Sequence, residues 1–125
     1  MLTFTPAVRV YVATGPTDLR KSFDSLAALV DGVLGEDPYA GHVFLFSNRR
    51  RDRLKLLYWD RDGFALWYKR LEAGTFEWPT AEGGRAEIDA TALALLLEGV
   101  ELTSAVRRPR YQRPARGADE NPGAR

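Results

Sequence analysis

The chain has 125 residues, of which 45% are apolar and 28% charged, a composition typical of one soluble globular domain. It contains no cysteine and a single histidine, His42, which excludes disulfides and cysteine chemistry and leaves little for a zinc site or a Ser-His-Asp triad. No apolar run reaches the length of a transmembrane helix, and the N-terminal segment lacks the regions of a signal peptide. We therefore expect a cytoplasmic protein without a membrane contact.

The net charge is only +1, but basic residues are concentrated near the C-terminus. Residues 107–125 contain six arginines and two acids, whereas residues 1–106 carry a net charge of −3. The same C-terminal segment holds three prolines, two glycines and one large apolar side chain, Tyr111, so it cannot build a core. We predict one domain over residues 1–102 and a disordered basic tail over residues 103–125, which either contacts a partner or is simply solvated.

The first predicted elements are a short strand, Val8 to Val12, and an amphipathic helix over residues 18–34. The helix is indicated by apolar side chains at helical spacing, which are Leu19, Phe23, Leu26, Ala27, Val30, Val33 and Leu34. Thr17 is placed to cap its first turn and Gly35 to end it. We expect this helix to pack on a sheet through Phe23, Leu26 and Val30.

Three segments rich in aromatic and aliphatic residues then predict an antiparallel meander: His42 to Ser47, Leu54 to Trp59 and Phe64 to Arg70. A four-residue loop over residues 60–63 pairs Trp59 with Phe64, and the strand alternation follows from that register.

A fourth short strand, Thr75 to Trp78, a strand at Glu87-Ile88 and a helix from Ala90 to Glu98 complete the chain. Asp89 or Thr91 is placed to cap that helix and Gly99 to end it. The predicted fold class is α+β: an antiparallel meander of about four to six strands packed against one long helix, with a short C-terminal helix.

Strand direction predicts a basic end of the domain. Because alternate loops of a meander lie at the same end of the sheet, the loop 48–53, the end of strand 64–70 and the start of the helix fall together, opposite the 60–63 hairpin. The candidate nucleic-acid-binding residues gathered there are Arg20, Lys21, Arg49, Arg50, Arg51, Arg53, Lys55, Lys69 and Arg70. Arginines beside a helix N-terminus suit a phosphate. The alternative is that these arginines form a solvated hairpin tip.

Two aromatic residues need a separate interpretation, since Tyr58 and Trp67 share the face of the hairpin that the long helix does not cover. Either the C-terminal helix covers this face, or Tyr58 and Trp67 remain available for stacking on bases or for contact with a partner. Most aromatic residues in a domain of this size belong to the core.

Three strings of the sequence resemble a known family: GPTDLRKSFDSLAALV (15–30), RRRDRLKLLYWDRDGFALWYKRLEAGTFEWP (49–79) and ALALLLEGVEL (92–102). They are similar to the TnpB accessory protein of bacterial insertion sequences of family sixty-six. The resemblance implies an element-encoded protein that works beside a larger transposase and a second small accessory protein, and it carries over no catalytic residues. Among the departures, Arg51 stands where the family often has glycine.

The residues argue against catalysis. A transposase of the ribonuclease-H type needs carboxylates around two metal ions, yet the predicted strand 42–47 contains no acid. Asp60 and Asp62 are ordinary turn residues, and no Gly-rich phosphate loop is present. We expect a non-catalytic protein without a metal site or a cofactor.

Two functions remain open. The leading hypothesis is an accessory protein of insertion-sequence transposition that binds nucleic acid through its basic end, either DNA at the ends of the element or RNA. The alternative is a protein-interaction module that binds the transposase or the other accessory protein through an apolar face of the sheet.

Overall fold

The computed structural model describes residues 4, 5 and 7–99. The elements of this part of the chain are β1 (Val10–Ala13), α1 (Phe23–Leu29), which continues directly into a π-helical turn (Val30–Leu34), β2 (Val43–Ser47), β3 (Arg53–Asp60), β4 (Gly63–Arg70), a 3₁₀ turn (Glu82–Gly84), β5 (Arg85–Ile88) and α2 (Ala90–Glu98). The predicted tail over residues 103–125 lies outside the described residues, and no helix within them is long and apolar enough to cross a bilayer.

The five strands form one mixed sheet in the order β4-β3-β2-β1-β5. β1 runs parallel to β2, with Val10 opposite Val43, whereas all other neighbours are antiparallel. The α+β class is confirmed, but the expectation of a purely antiparallel meander is wrong. The reason is that β1 and β2 are joined by a crossover that contains α1 and not by a hairpin, so the two strands run in the same direction.

The β3–β4 hairpin has the predicted register, in which Trp59 lies opposite Phe64 and Lys55 opposite Tyr68. The loop is shorter than predicted, because Asp60 and Gly63 also pair and leave two residues in the turn. Successive side chains of the two strands point to opposite faces of the sheet, so the hairpin contributes to both layers of the core.

The helix predicted over residues 18–34 is shorter in the structure. It begins at Phe23, five residues later than predicted, and its last part is the π-helical turn. Thr17 does not cap it, since the Thr17 N–H donates to the carbonyl oxygen of Ser47 at 2.8 Å and ties the preceding chain to the sheet. α1 contacts β3 and β4, and the π-helical turn contacts β1, so the helix crosses the strands. Gly35 ends it in the left-handed region with φ of 66°, as predicted.

Only part of the predicted apolar stripe is buried. Leu26, Val30 and Leu34 are fully enclosed, whereas Phe23 and Val33 are 45% and 55% exposed. The π-helical turn takes more residues per turn than an α-helix, so it rotates Val33 away from the sheet. Phe23 is the first residue of α1. The prediction that Phe23 packs on the sheet as a core residue is therefore wrong.

Two apolar layers cover the sheet. In one layer, α1 packs against Tyr11, Phe44, Phe46 and Leu57 on one face of the sheet. In the other layer, α2 packs against the opposite face through Leu93, Leu96 and Leu97. α2 has the predicted bounds and caps: the Asp89 carboxylate accepts the Ala92 N–H at 2.7 Å, and Gly99 has φ of 86°. The sheet is thus sandwiched between two helical layers.

The face bearing Tyr58 and Trp67 is the one that α2 covers. Both rings are half-buried against the core cluster that contains Leu93, Leu96 and Leu97, and Tyr58 meets the ring of Phe4 edge-on at 5.4 Å. Of the two alternatives for these aromatics, the structure adopts the packed one.

The predicted fourth strand, Thr75 to Trp78, is not a strand. Two long-range hydrogen bonds hold this segment. The Phe76 N–H donates to the carbonyl of Arg51 at 2.8 Å, and the Trp78 indole N–H donates to the carbonyl of Ala13 at 3.0 Å. The buried ring of Phe76 fixes the segment against the α2 layer. The aromatic residues of this segment, Phe76 and Trp78, thus pack against the core without forming a β-ladder.

Replacing Leu26 by alanine should lower the free energy of unfolding by about 2–5 kcal/mol, because the side chain is fully buried in the α1 layer. The matched control is Val33→Ala on the same helix, where the exposed side chain should give a change within about 0.5 kcal/mol. Urea denaturation of the two variants measures both effects. Equal losses would show that the packing face of the helix is assigned incorrectly.

Candidate nucleic-acid interface

The sheet has one end where β1, β2 and β4 finish and where β3 and β5 begin. We call the part of this end built from residues 14–21, 48–55 and 68–70 the basic end. The chain after β1 runs across it, since Thr17 bonds to Ser47 and the Lys55 ammonium donates to the carbonyl of Lys21 at 2.7 Å. All nine candidate basic residues lie here, and the β3–β4 turn lies at the opposite end.

The loop between β2 and β3 is held from within by Asn48. Its side-chain oxygen accepts the Arg53 N–H at 3.1 Å, and its side-chain nitrogen donates to the Asp52 carboxylate at 2.6 Å. The Ser47 hydroxyl adds a bond to the Arg53 carbonyl at 2.7 Å. Because these bonds fix the loop backbone, the side chains of Arg49 and Arg50 project from a preorganised support.

Arg51 holds the loop to the rest of the domain. Its guanidinium donates to the carbonyl of Thr14 at 2.7 Å and lies 5.4 Å from the centre of the Trp78 ring. Burial lowers the pKa of Arg51, and the nearby charge of Arg49 lowers it further. Its backbone has φ of 60°, which explains why glycine suits this position. Arg51 therefore joins loop to sheet and does not extend toward a ligand.

Lys55 has a comparable internal role. The residue is only 7% exposed, and besides its bond to the Lys21 carbonyl its ammonium lies 4.9 Å from the centre of the Tyr68 ring. A buried cation needs such partners, because an unpaired charge is costly to remove from water. Lys55 thus fixes the chain preceding α1 to the β3–β4 hairpin.

Two further cations are paired with acids. Arg20 and Asp18 approach to 2.8 Å, and hydrogen bonds from Arg20 lower the pKa of Asp18 to about 2, so this carboxylate is ionised at neutral pH. Arg70 pairs with Glu72 at 2.9 Å. The predicted helix over residues 18–34 included Arg20 and Lys21. In the structure both residues precede α1, which begins at Phe23.

The remaining five cations have no ion pair within the described part of the chain. They are Lys21, Arg49, Arg50, Arg53 and Lys69. Two of them, Arg50 and Arg53, line an open groove of about 350 Å³ together with Asp18, Arg20, Asn48, Asp52 and Tyr68. The half-exposed Tyr68 was not among the predicted aromatic contacts, although the predicted pairing with Lys55 already placed it close to the basic end.

No group of three or more histidine, cysteine or acidic side chains with metal-binding geometry occurs among residues 4, 5 and 7–99. Asp60 and Asp62 lie at the β3–β4 turn, at the far end from the groove. The groove itself is lined by three arginines, Arg20, Arg50 and Arg53, and by two acids, Asp18 and Asp52. Because Asp18 pairs with Arg20 and Asp52 accepts from the Asn48 amide, the guanidinium groups of Arg50 and Arg53 remain as donors for an anionic ligand.

Arg51→Ala and Arg51→Gly should both destabilise the domain, because each removes the bond to Thr14 and the contact with Trp78. The glycine variant should retain about 0.5–1 kcal/mol more stability, since a left-handed backbone strains alanine more than the flexibility of glycine costs. Urea denaturation of the pair gives this difference. An alanine variant at least as stable as the glycine variant would contradict the structural role assigned to the backbone here.

The chain has relatives among known proteins. The family described as IS66 Orf2-like protein, TnpB_IS66, matches residues 8–107. Two proteins of Sinorhizobium fredii (strain NBRC 101917 / NGR234) are similar: uncharacterized protein y4jC is 39% identical over 111 residues, covering 89% of this chain and 94% of the relative. Uncharacterized protein y4hO is 45% identical over 94 residues, covering 75% and 82%. No solved structure matches at a significant level. The chain belongs to the IS66 Orf2-like family and is thereby an accessory protein of an insertion sequence.

Proposed function

We propose that this accessory protein binds nucleic acid through its basic end and takes no catalytic part in transposition. The observation that carries the proposal is the set of five cations without ion pairs at the basic end, two of which, Arg50 and Arg53, line an open groove. Elsewhere in the described residues, Arg9 and Arg85 each pair with a glutamate and Arg61 has no ion pair, so most of the unpaired cations lie at the basic end.

The support beneath these cations favours a binding role over a solvated hairpin tip. Arg51 and the side chain of Asn48 hold the loop in one conformation, so few backbone degrees of freedom need to be ordered on binding. Phosphate groups are the anions that arginine forks contact best, and a nucleic-acid backbone presents them in series.

The spread of the cations also fits a polymer better than a single phosphate. Lys21 comes from the crossover chain, Arg49 and Arg50 from the loop, and Lys69 from the edge strand β4. A strand of DNA from the element, or an RNA, meets several of these groups at once. We propose that the protein, when bound to nucleic acid, works beside the element's transposase and its second accessory protein.

Binding to a single strand should weaken with salt with a log–log slope of about −3.5 if the five unpaired cations each neutralise one phosphate. Arg49→Ala with Arg50→Ala should flatten that slope by about 1.4, because two counterion-releasing contacts are lost. Fluorescence anisotropy across a salt series measures both slopes. Folding should be retained, since both side chains are exposed on the loop.

The matched control removes two arginines from the opposite end, Arg9 and Arg61, and so makes the same change in net charge. This variant should keep the wild-type slope if the basic end is the binding surface. Equal flattening by both variants would show that binding follows total charge and would contradict the assigned surface.

Asp18→Asn should strengthen binding, because it releases the Arg20 guanidinium from its ion pair while preserving the shape of the side chain. We expect roughly a fivefold gain in affinity at about 0.1 M salt and a steeper slope by about 0.7 on a single strand. Since the pKa of Asp18 is about 2, mild acid above pH 4 should not reproduce this gain in the wild type. An unchanged affinity would place Arg20 outside the interface.

A second candidate function is contact with the transposase or the other accessory protein. The supporting observation is an apolar groove of about 250 Å³ beside α1, lined by Leu29, Val33 and Phe46 among others. This groove replaces the sheet face considered from the sequence, which α2 covers. Absence of nucleic-acid binding by the folded protein would favour this second candidate.

A further inference from the structure

We propose that the basic end binds single-stranded nucleic acid, with the ring of Tyr68 as the platform on which one base stacks. This inference rests on the proposed function and specifies its ligand. The relevant juxtaposition is an exposed, immobilised aromatic ring inside the groove that also contains Arg50 and Arg53.

The Tyr68 ring is held in place by charged neighbours on two sides. Lys55 lies opposite it on β3, with the ammonium 4.9 Å from the ring centre, and the Arg53 guanidinium donates to the tyrosine hydroxyl at 3.3 Å. Lys55 is itself fixed by its bond to the Lys21 carbonyl. Such a ring loses little conformational freedom when a base stacks on it.

Tyr68 also keeps the surface that stacking requires. It is 49% exposed, whereas Tyr58 and Trp67, which share the strand pair with it, are half-buried in the α2 layer. The groove of about 350 Å³ beside it falls in the usual size range of sites for small organic groups. A base on the ring would place its neighbouring phosphates close to the Arg50 and Arg53 side chains.

Duplex ligands cannot use this arrangement fully. In a duplex the base faces are stacked on each other, so only the cations would be engaged, whereas an unpaired base can turn onto the ring. Since every base has an aromatic face, we expect little sequence preference. The exposed Tyr39 provides a useful contrast, because it packs on Trp59 and Phe64 near the β3–β4 turn, away from the groove.

The test measures the affinities of the full-length wild type, Tyr68→Leu and Tyr39→Leu for labelled oligonucleotides of equal length. The probes are oligo-dT, oligo-U, an abasic single strand and a DNA duplex, with affinities taken from fluorescence anisotropy at several salt concentrations. Leucine retains apolar cover over Lys55 and removes the aromatic face together with the hydroxyl that accepts from Arg53. Circular dichroism confirms that each variant is folded.

The wild type should bind oligo-dT or oligo-U roughly 5- to 100-fold more tightly than the abasic strand, since base stacking adds to the phosphate contacts. Tyr68→Leu should lose this preference while keeping its salt slope, whereas Tyr39→Leu should behave as the wild type. Oligo-dT and oligo-U differ both in the sugar and in the C5 methyl group of the base, and the proposal holds for a preference for either.

Equal wild-type affinity for the abasic strand and for oligo-dT would overturn the stacking role and leave the phosphate contacts intact. A Tyr68→Leu variant that keeps the wild-type preference for bases would overturn the stacking role as well. Absence of binding to all four probes would instead overturn the proposed function itself, so the two failures are distinguishable.

Discussion

The arrangement of the basic end depends on the parallel pairing of β1 with β2. Parallel neighbours cannot be joined by a tight turn, so residues 14–42 must cross from the finish of β1 to the start of β2 at the other end of the sheet. The first part of this crossover runs over the strand ends, where Thr17 bonds to Ser47. It thereby places Asp18, Arg20 and Lys21 beside the loop, and its second part lays α1 across the sheet.

A division of roles among the cations follows from this geometry. Arg51 and Lys55 direct their donors to backbone carbonyls of the crossover chain and lie against aromatic rings, so their charges stabilise the architecture. Arg20 is neutralised by a neighbouring acid. The exposed cations that remain, such as Arg49 and Arg50, are the ones that we propose to contact a ligand. Of the nine candidate basic residues at this end, five thus remain available for such contacts.

Local patterns were sufficient for the β3–β4 register and for α2 with its caps, because alternation and capping residues act over a few positions. They were insufficient where single long-range bonds decide the backbone. Thr17 is a residue type that often caps helices, but its N–H bonds to Ser47. Phe76 lies in a segment with the alternation of a strand, but its N–H bonds to Arg51 and the segment joins no β-ladder. The internal role of Arg51 and the exposure of Tyr68 likewise depend on partners distant in sequence. The candidate site was therefore predictable as a cluster of charge but not as a set of roles.

Binding at the basic end is tested most directly by an NMR titration of the ¹⁵N-labelled protein with an unlabelled single-stranded oligonucleotide. If this end is the binding surface, backbone amide shifts should change for residues 48–53 and 68–70 and for Lys21, with little change at the β3–β4 turn. Changes confined to the turn and to Tyr39, with none at the basic end, would contradict that assignment.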